Sequence, residues 1–127
     1  MTEKILLDTS VIINILDKNG DRSLLENECY ISVISIYEYI RYKRNAEEQK
    51  LLLEGAFDTV NLSNPIILKA SEIFVKLRKA GTMINEDDIY IAASAIANRL
   101  KLYTLDDGFQ EIKKLFPEFQ VVRNGSA

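Results

Sequence analysis

The sequence lacks histidine and tryptophan altogether, and it contains a single cysteine, Cys29, among 127 residues. Histidine is the commonest general base and a frequent zinc ligand, so its absence excludes every Ser-His or Cys-His catalytic arrangement. One cysteine excludes a disulfide within this chain and a thiolate metal cluster. Any catalysis must therefore use carboxylates, amines, hydroxyls or a hard metal ion.

Long apolar stretches are also missing. A membrane-spanning helix needs about 20 consecutive apolar residues, and no run of that length occurs. The residues from Met1 to Lys4 lead directly into an apolar strand and do not form a signal peptide. With 47% hydrophobic and 28% charged residues, the composition is typical of a globular protein. We therefore expect one domain, located in the cytoplasm.

Basic residues are outnumbered, with 16 Lys and Arg against 19 Asp and Glu and a net charge of −3. This balance argues against a broad nucleic-acid-binding surface, because phosphate binding normally needs clustered cations. It leaves room for a small acidic pocket that recruits cations. Two groups of basic residues remain as candidates for RNA contact. The first consists of Arg41, Lys43, Arg44 and Lys50, and it has Tyr37 and Tyr42 beside it, whose rings could stack on bases. The second consists of Lys76, Arg78 and Lys79. A solvated helix face is the alternative for each.

Apolar strand-like runs alternate with helical patterns along the chain. The clearest helix opens with Asn64 as its N-cap and Pro65 as its first residue, and Gly81 ends it. Predicted strands cover 4–7, 29–33, 57–62, 102–105 and 119–122, and predicted helices cover 11–16, 35–44, 46–55, 65–80, 85–99 and 109–115. Such alternation predicts an α/β fold with a mostly parallel sheet and helices on both faces, because parallel neighbours need crossover connections.

Four acids fall where this fold would bring them together. Asp8 closes the first strand and Asp106 closes the fourth, Glu38 lies one turn into the helix after the second strand, and Asp88 begins the most apolar helix. Ligands of open parallel sheets bind beyond the carboxyl ends of the strands. A lone charge on the apolar face at Asp88 would be costly unless it were paired or bound a metal. We therefore expect the four carboxylates to converge.

Each acid also has a purely structural explanation. Asp8 can cap the helix that follows it, and Glu38 completes a capping box with Ser35. Asp88 can be a first-turn acid favoured by the helix dipole, behind Asn85 as the N-cap. The segment Asp106-Asp107-Gly108 is ordinary turn chemistry. These explanations account less well for all four acids pointing to one place.

Four segments in this order resemble the motifs of PIN-domain ribonucleases: Leu6-Leu7-Asp8-Thr9-Ser10-Val11-Ile12, Ile31-Ser32-Val33-Ile34-Ser35-Ile36-Tyr37-Glu38, Asp88-Ile89-Tyr90-Ile91-Ala92-Ala93 and Tyr103-Thr104-Leu105-Asp106. Their spacing is most similar to that of the VapC toxins of prokaryotic toxin–antitoxin pairs. The resemblance extends from about Ile5 to Val122. It implies a PIN-like three-layer α/β/α fold with a sheet of four to five strands, residues 1–122 as a single nuclease domain, and residues 123–127 as a frayed tail.

The resemblance also implies a metal-dependent endoribonuclease. Its Mg²⁺ or Mn²⁺ would be held by a quartet of acids, Asp8, Glu38, Asp88 and Asp106. The hydroxyls of Thr9, Ser10 and Thr104 would support that site. Many family members carry another acid directly before the Phe of the last motif. Here Gly108 takes that place, and Asp107, one residue earlier, is a candidate substitute through a water. Hard cations prefer carboxylate oxygens, and a bound ion can activate water without histidine. Asp8 and Asp88 are the leading candidates for direct metal ligands. The number of metal ions, one or two, stays open.

The partners implied by the resemblance are an RNA substrate, a second copy of the chain and a VapB-like antitoxin. The basic segment of such an antitoxin, often with an arginine, would occupy the acidic crevice, where a guanidinium pairs well with carboxylates. The candidate interfaces are the helix carrying Ile34, Tyr37 and Ile40 and the helix from Pro65 to Ala80. Core packing within one chain is the alternative for both.

Two further functions stay open. A PIN nuclease of RNA maturation or decay would have the same site and different partners. A non-catalytic interaction module would use the acids only as caps, and metal binding would separate that case. A phosphatase of the haloacid dehalogenase type fits less well, because Asp8-Thr9-Ser10 lacks a second Asp two residues after the first.

Overall fold

Five parallel strands form the central sheet of the computed structural model, which describes residues 2–123. In chain order the strands are β1 (Lys4–Leu7), β2 (Glu28–Ser32), β3 (Asp58–Val60), β4 (Lys101–Thr104) and β5 (Val121–Arg123). Their order across the sheet is β3-β2-β1-β4-β5, and every neighbouring pair is parallel. The predicted α/β fold is confirmed.

Helices cover both faces of this sheet. Within the described residues they are α1 (Thr9–Asp17), α2 (Val33–Ile40), α3 (Ala46–Ala56), α4 (Asn64–Lys79), α5 (Glu86–Asn98) and α6 (Phe109–Leu115). Buried residues of α1, α2 and α3 form the core on one face, and those of α4, α5 and α6 form the core on the other. A short 3-10 helix, Ser23–Glu26, precedes β2 and was not predicted. None of the helices in residues 2–123 is long and apolar enough to cross a membrane.

The first strand explains why two cores form. Ile5, Leu6 and Leu7 are all fully buried. Ile5 and Leu7 point into the α1–α3 core and Leu6 points into the α4–α6 core, as the two-residue period of a strand requires. A continuous apolar run is therefore the pattern of a strand buried on both faces.

The start and end of α2 differ from the prediction of a helix over 35–44. Ser32, the last residue of β2, is the N-cap, and its side chain accepts a hydrogen bond from the Ile34 amide at 3.0 Å. Ser35 lies inside the helix and is buried. The capping box between Ser35 and Glu38, which was the structural alternative for Glu38, does not form, because the chain enters the helix directly from the strand. The helix ends at Ile40.

Other boundaries shift by a few residues. Ser63 occupies the N-cap position of α4, so Asn64 is its first helical residue and not its cap. The third strand is confined to Asp58–Val60. Arg123, the first residue of the predicted frayed tail, is the last residue of β5, and the remaining tail residues, 124–127, lie outside the described part of the chain.

The strand order creates a crevice between β1 and β4. The chain passes from β1 outward to β2 and β3, and then returns to place β4 on the other side of β1. The Asp8 amide donates a hydrogen bond to the Tyr103 carbonyl at 2.9 Å, which connects the carboxyl ends of the two strands. Such a reversal is where open parallel sheets bind their ligands.

Candidate active site

The four predicted acids lie in one cleft above the carboxyl ends of β1 and β4. The first residues of α1, the first residues of α5 and the last residues of α2 surround this cleft. The residues that line it are mostly polar: Asp8, Thr9, Ser10, Ile13, Glu38, Arg41, Tyr42, Asn85, Asp88 and Asp106. The structure therefore brings the whole quartet together, although its members come from four separate parts of the sequence.

Asp8 is the most buried of the four, with 4% of its surface exposed. It stands at the N-cap position of α1 but makes no capping hydrogen bond. Its Oδ2 instead accepts hydrogen bonds from Thr104 Oγ1 at 2.7 Å and Ser10 Oγ at 2.8 Å. Burial raises the pKa of Asp8, and these two hydrogen bonds partly offset that rise. Helix capping therefore does not explain Asp8.

Glu38 projects from α2 into the cleft and is half-buried. Its Oε1 accepts a hydrogen bond from Thr9 Oγ1 at 2.6 Å, and Thr9 Oγ1 is also hydrogen-bonded to Ser35 Oγ at 2.9 Å. Burial raises the pKa of Glu38, the hydrogen bond from Thr9 lowers it, and the neighbouring Asp87 carboxyl raises it again. Ser35 thus supports the residue that holds Glu38 and does not form a box with it.

Asp88 lies in the first turn of α5, where Asn85 caps the helix by accepting a hydrogen bond from the Asp87 amide at 2.9 Å. A helix dipole alone would stabilise the charged form of such an acid. Burial instead raises the pKa of Asp88 to about 7, with further contributions from the charges of Asp8, Asp106, Glu38 and Asp87. Burial, together with the neighbouring negative charges, therefore outweighs the dipole in setting the pKa of Asp88.

Asp106 and Asp107 occupy different environments. Asp106 is exposed at the rim of the cleft, and its Oδ1 accepts a hydrogen bond from the Gly108 amide at 3.1 Å, so the turn interpretation also describes it. Its own amide donates to Thr104 Oγ1 at 2.9 Å. Asp107 is 80% exposed, forms an ion pair with Arg123 and does not line the cleft. The structure therefore does not bring Asp107 together with the quartet.

Two residues near the quartet were not assigned to the site from the sequence. Asp87 lies beside Glu38 and raises its pKa, and Arg41 lines the cleft as its one basic side chain. In the sequence, the only signal for Asp87 was its position next to Asp88. That signal was weak, because consecutive helical residues point in different directions and only one of the two was expected to face the site. The position of Arg41, three residues after Glu38 along the same helix face, was the other available signal.

Carboxylate oxygens in this cleft suit a hard divalent cation in their chemistry. Within residues 2–123, no three acidic or cysteine side chains are arranged so that they could hold a metal ion together. Mg²⁺, however, usually keeps several waters and takes only one or two protein carboxylates. The pKa values of Asp8, Glu38 and Asp88 are raised mainly by burial, which disfavours their charged forms, and a bound cation would favour those forms again. The residues therefore fit an ion held by few direct ligands.

Comparison with known proteins identifies the family. The PIN domain profile matches residues 5–115. Ribonuclease VapC1 of Methanocaldococcus jannaschii is 36% identical over 103 residues, which cover 80% of this chain and 74% of that protein. Ribonuclease VapC3 of the same organism is 30% identical over 90 residues, which cover 69% of this chain and 94% of that protein. The chain belongs to the PIN-domain family.

Solved structures agree with that assignment. VapBC2 from Rickettsia felis, bound to a DNA fragment from its promoter, superposes with a TM-score of 0.76 at 22% identity, covering 94% of this chain and 98% of that one. VapBC-1 from nontypeable Haemophilus influenzae gives a TM-score of 0.78 at 21% identity, covering 94% and 97%. These matches establish the fold. Together with the two curated relatives, they confirm the predicted similarity to VapC proteins.

Proposed function

We propose that this protein is a Mg²⁺- or Mn²⁺-dependent endoribonuclease that acts as the toxin of a toxin–antitoxin pair and hydrolyses RNA phosphodiester bonds in the acidic cleft. The observation that carries the proposal is the convergence of Asp8, Glu38, Asp88 and Asp106 at the sheet's reversal point. The VapC ribonucleases among the relatives of this PIN-domain chain support the same activity.

Each residue of the cleft has a separate part in this proposal. Asp8 and Asp88 are the direct ligands, and Glu38 and Asp106 orient waters or hold a second ion. A bound divalent ion supplies an activated water and stabilises charge on the phosphoryl oxygens. The hydroxyls of Thr104 and Ser10 fix the position of Asp8 Oδ2. Because both oxygens belong to one carboxylate, the same two hydrogen bonds also fix the direction of Oδ1. Thr9 orients Glu38 in the same way.

Charge supports an antitoxin that covers the cleft. The lining contains four carboxylates and one basic side chain, Arg41, so a basic segment of a VapB-like partner would find complementary charge there. Two of the similar solved structures are VapBC proteins. The proposed antitoxin therefore inhibits by occupying the position that RNA and metal require.

The outer face of α4 supports a homodimer. Four apolar side chains on it are exposed by 42% to 71%: Ile67, Leu68, Phe74 and Val75. Leu68 and Val75 lie on the side opposite the buried Ile66, Ala70 and Ile73, and Ile67 and Phe74 lie at the edge between the two sides. Light scattering should show a dimer that Leu68→Glu dissociates, while Leu51→Glu, at a similarly exposed leucine of α3, leaves it intact. A monomeric parent protein would overturn the homodimer.

A cleavage assay tests the activity itself. Labelled single-stranded RNAs are incubated with the full chain in Mg²⁺, Mn²⁺ or EDTA, next to Asp88→Asn and Asp107→Asn proteins purified in parallel. The two variants carry the same chemical change, one at an acid in the cleft and the other at an acid outside it. We expect metal-dependent cleavage by the parent protein and Asp107→Asn, and at least 100-fold less by Asp88→Asn. Equal activity in all three would mean a contaminant or a different site.

A further inference from the structure

The Arg41 side chain is held between two tyrosines at the rim of the cleft. Its guanidinium carbon lies 5.2 Å from the ring centroid of Tyr37 and 5.3 Å from that of Tyr42. Both distances are within the range of a cation–π interaction. Tyr42 is 85% exposed and Tyr37 is 55% exposed, so the rings contribute little buried area to the fold.

Arg41 also differs from two nearby lysines. Lys43 is paired with Asp17 at 3.0 Å, and Lys50 is paired with Glu54 at 2.8 Å. Across residues 2–123, Arg41 takes part in no ion pair and is the single cation of the cleft lining. An RNA phosphate that approaches the four carboxylates meets strong repulsion, and Arg41 is the side chain placed to reduce it.

Exposed aromatic rings beside a cation are the features that proteins use to bind single-stranded nucleic acid. Unpaired bases stack on aromatic side chains, and arginine binds the phosphates between them. Tyr42 lines the same cleft as the acids, so a base stacked on it belongs to a nucleotide close to the reacting phosphate. A base within a duplex could not reach this ring without leaving its own stack.

We propose that Tyr42, Arg41 and Tyr37 form a binding platform for a single-stranded RNA nucleotide next to the scissile phosphate, with Tyr42 stacking on the base and Arg41 binding a phosphate. The inference rests on the proposed ribonuclease function. These are positioning residues, and they select unpaired RNA. Tyr42 is the ring that stacks on the base, because it is the more exposed of the two tyrosines. Tyr37 holds the Arg41 guanidinium in place through its own cation–π contact.

The test measures kcat and KM on a single-stranded RNA that the parent protein cleaves in Mg²⁺. Removal of one stacked base corresponds to about a 5- to 150-fold effect, so Tyr42→Ala should raise KM by that factor with little change in kcat. Tyr42→Phe keeps the ring and should stay within about twofold of the parent. Met83→Ala truncates a side chain of similar exposure outside the cleft and serves as the control. Mg²⁺-induced thermal stabilisation should be the same in all four proteins.

An abasic scan locates the stacked base. In the parent protein, one abasic position in the RNA should raise KM, and in Tyr42→Ala that position should have no further effect, since the partner ring is already gone. Arg41→Ala should raise KM and reduce its salt dependence by about one phosphate contact.

The outcomes separate the two proposals. If the parent protein cleaves RNA but KM is unchanged in Tyr42→Ala, the platform is wrong and the ribonuclease stands. A loss as large in Tyr42→Phe as in Tyr42→Ala would overturn stacking in favour of the hydroxyl. If the substitutions weaken binding of a basic protein partner and leave KM unchanged, the surface binds protein and not RNA. If the parent protein cleaves RNA neither in Mg²⁺ nor in Mn²⁺, the proposed ribonuclease function and the proposed platform are both overturned.

Discussion

Thr104 donates a hydrogen bond to Asp8, from Oγ1 to Oδ2 at 2.7 Å, and thereby connects the carboxyl ends of β4 and β1. Both residues are buried, with 0% and 4% of their surface exposed. The same hydroxyl accepts a hydrogen bond from the Asp106 amide at 2.9 Å. One threonine therefore positions two of the four carboxylates in the cleft.

Replacing Thr104 by valine tests this connection, because valine keeps the shape and removes the hydroxyl. Asp8 would lose one of its two side-chain donors in a buried site. We expect Thr104→Val to lower the free energy of unfolding by about 1–3 kcal/mol at pH 8, as measured by urea denaturation in EDTA. Thr104→Ser keeps the donor and should retain most of the stability. A loss in Thr104→Ser with none in Thr104→Val would mean that methyl packing, and not the hydrogen bond, is what matters.

The raised pKa of Asp88 predicts an unusual pH dependence. In the unfolded chain this carboxyl releases its proton near pH 3.8, whereas in the folded, metal-free protein it does so at about 7. Between these values the folded state binds more protons, so the contribution of Asp88 to stability is largest at low pH and falls as the pH rises from about 4 to about 7. Above about pH 7 it stays constant at its lower value.

Asp88→Asn should therefore stabilise the metal-free protein at pH 8. The side chain is only half-buried, and solvent screening reduces the gain to about 1–2 kcal/mol. Near pH 4 the parent protein and the variant should be nearly equally stable, because both side chains are then neutral. Urea denaturation in EDTA at the two pH values measures the difference, and Asp107→Asn is the control. A gain at pH 4 as large as at pH 8 would contradict this account.

Local chemistry explains which features could be predicted from the sequence. The apolar run that ends at Leu7 predicted the first strand, and Gly81, with φ of 72°, ends α4 as predicted. Asn85 caps α5 as expected. In each case the signal and the structure it specifies lie within a few residues of each other. Such features need no knowledge of the tertiary fold.

The remaining features depend on contacts between distant parts of the chain. Ser35 has the spacing of a capping box with Glu38, but Thr9, 29 residues before Glu38 in the chain, binds that carboxylate instead. Asp107 resembles a site residue in sequence, yet its partner is Arg123. The contact of Asp87 with Glu38 likewise requires α5 to pack beside α2. No local pattern encodes these choices.

Two glycines in open surroundings give a matched test of backbone conformation. A Cβ added at Gly55 or at Gly81 would meet no atom within 4 Å, but only Gly81 has a positive φ, at 72°. We expect Gly55→Ala to stabilise the protein by about 0.5–1 kcal/mol, because alanine is the better helix former. Gly81→Ala should destabilise it by about 1 kcal/mol through left-handed strain. Thermal unfolding of both variants measures this, and the same sign for both would contradict the conformational assignment.

Metal binding should offset the stability difference that the Asp88 substitution creates. Mg²⁺ or Mn²⁺ at ten times its dissociation constant stabilises the native state by about 1.4 kcal/mol, which for a domain of this size raises the melting temperature by about 4–7 °C. Asp88→Asn removes the charge that attracts the ion, so the variant should be the more stable protein in EDTA and should gain little from metal. Asp107→Asn should gain as much as the parent, because Asp107 pairs with Arg123 outside the cleft. A melting temperature of the parent protein that ignores both ions at millimolar concentration would contradict the metal site. A full gain in Asp88→Asn would place the ion on other carboxylates, since a ligand of the ion cannot be neutralised without weakening its binding.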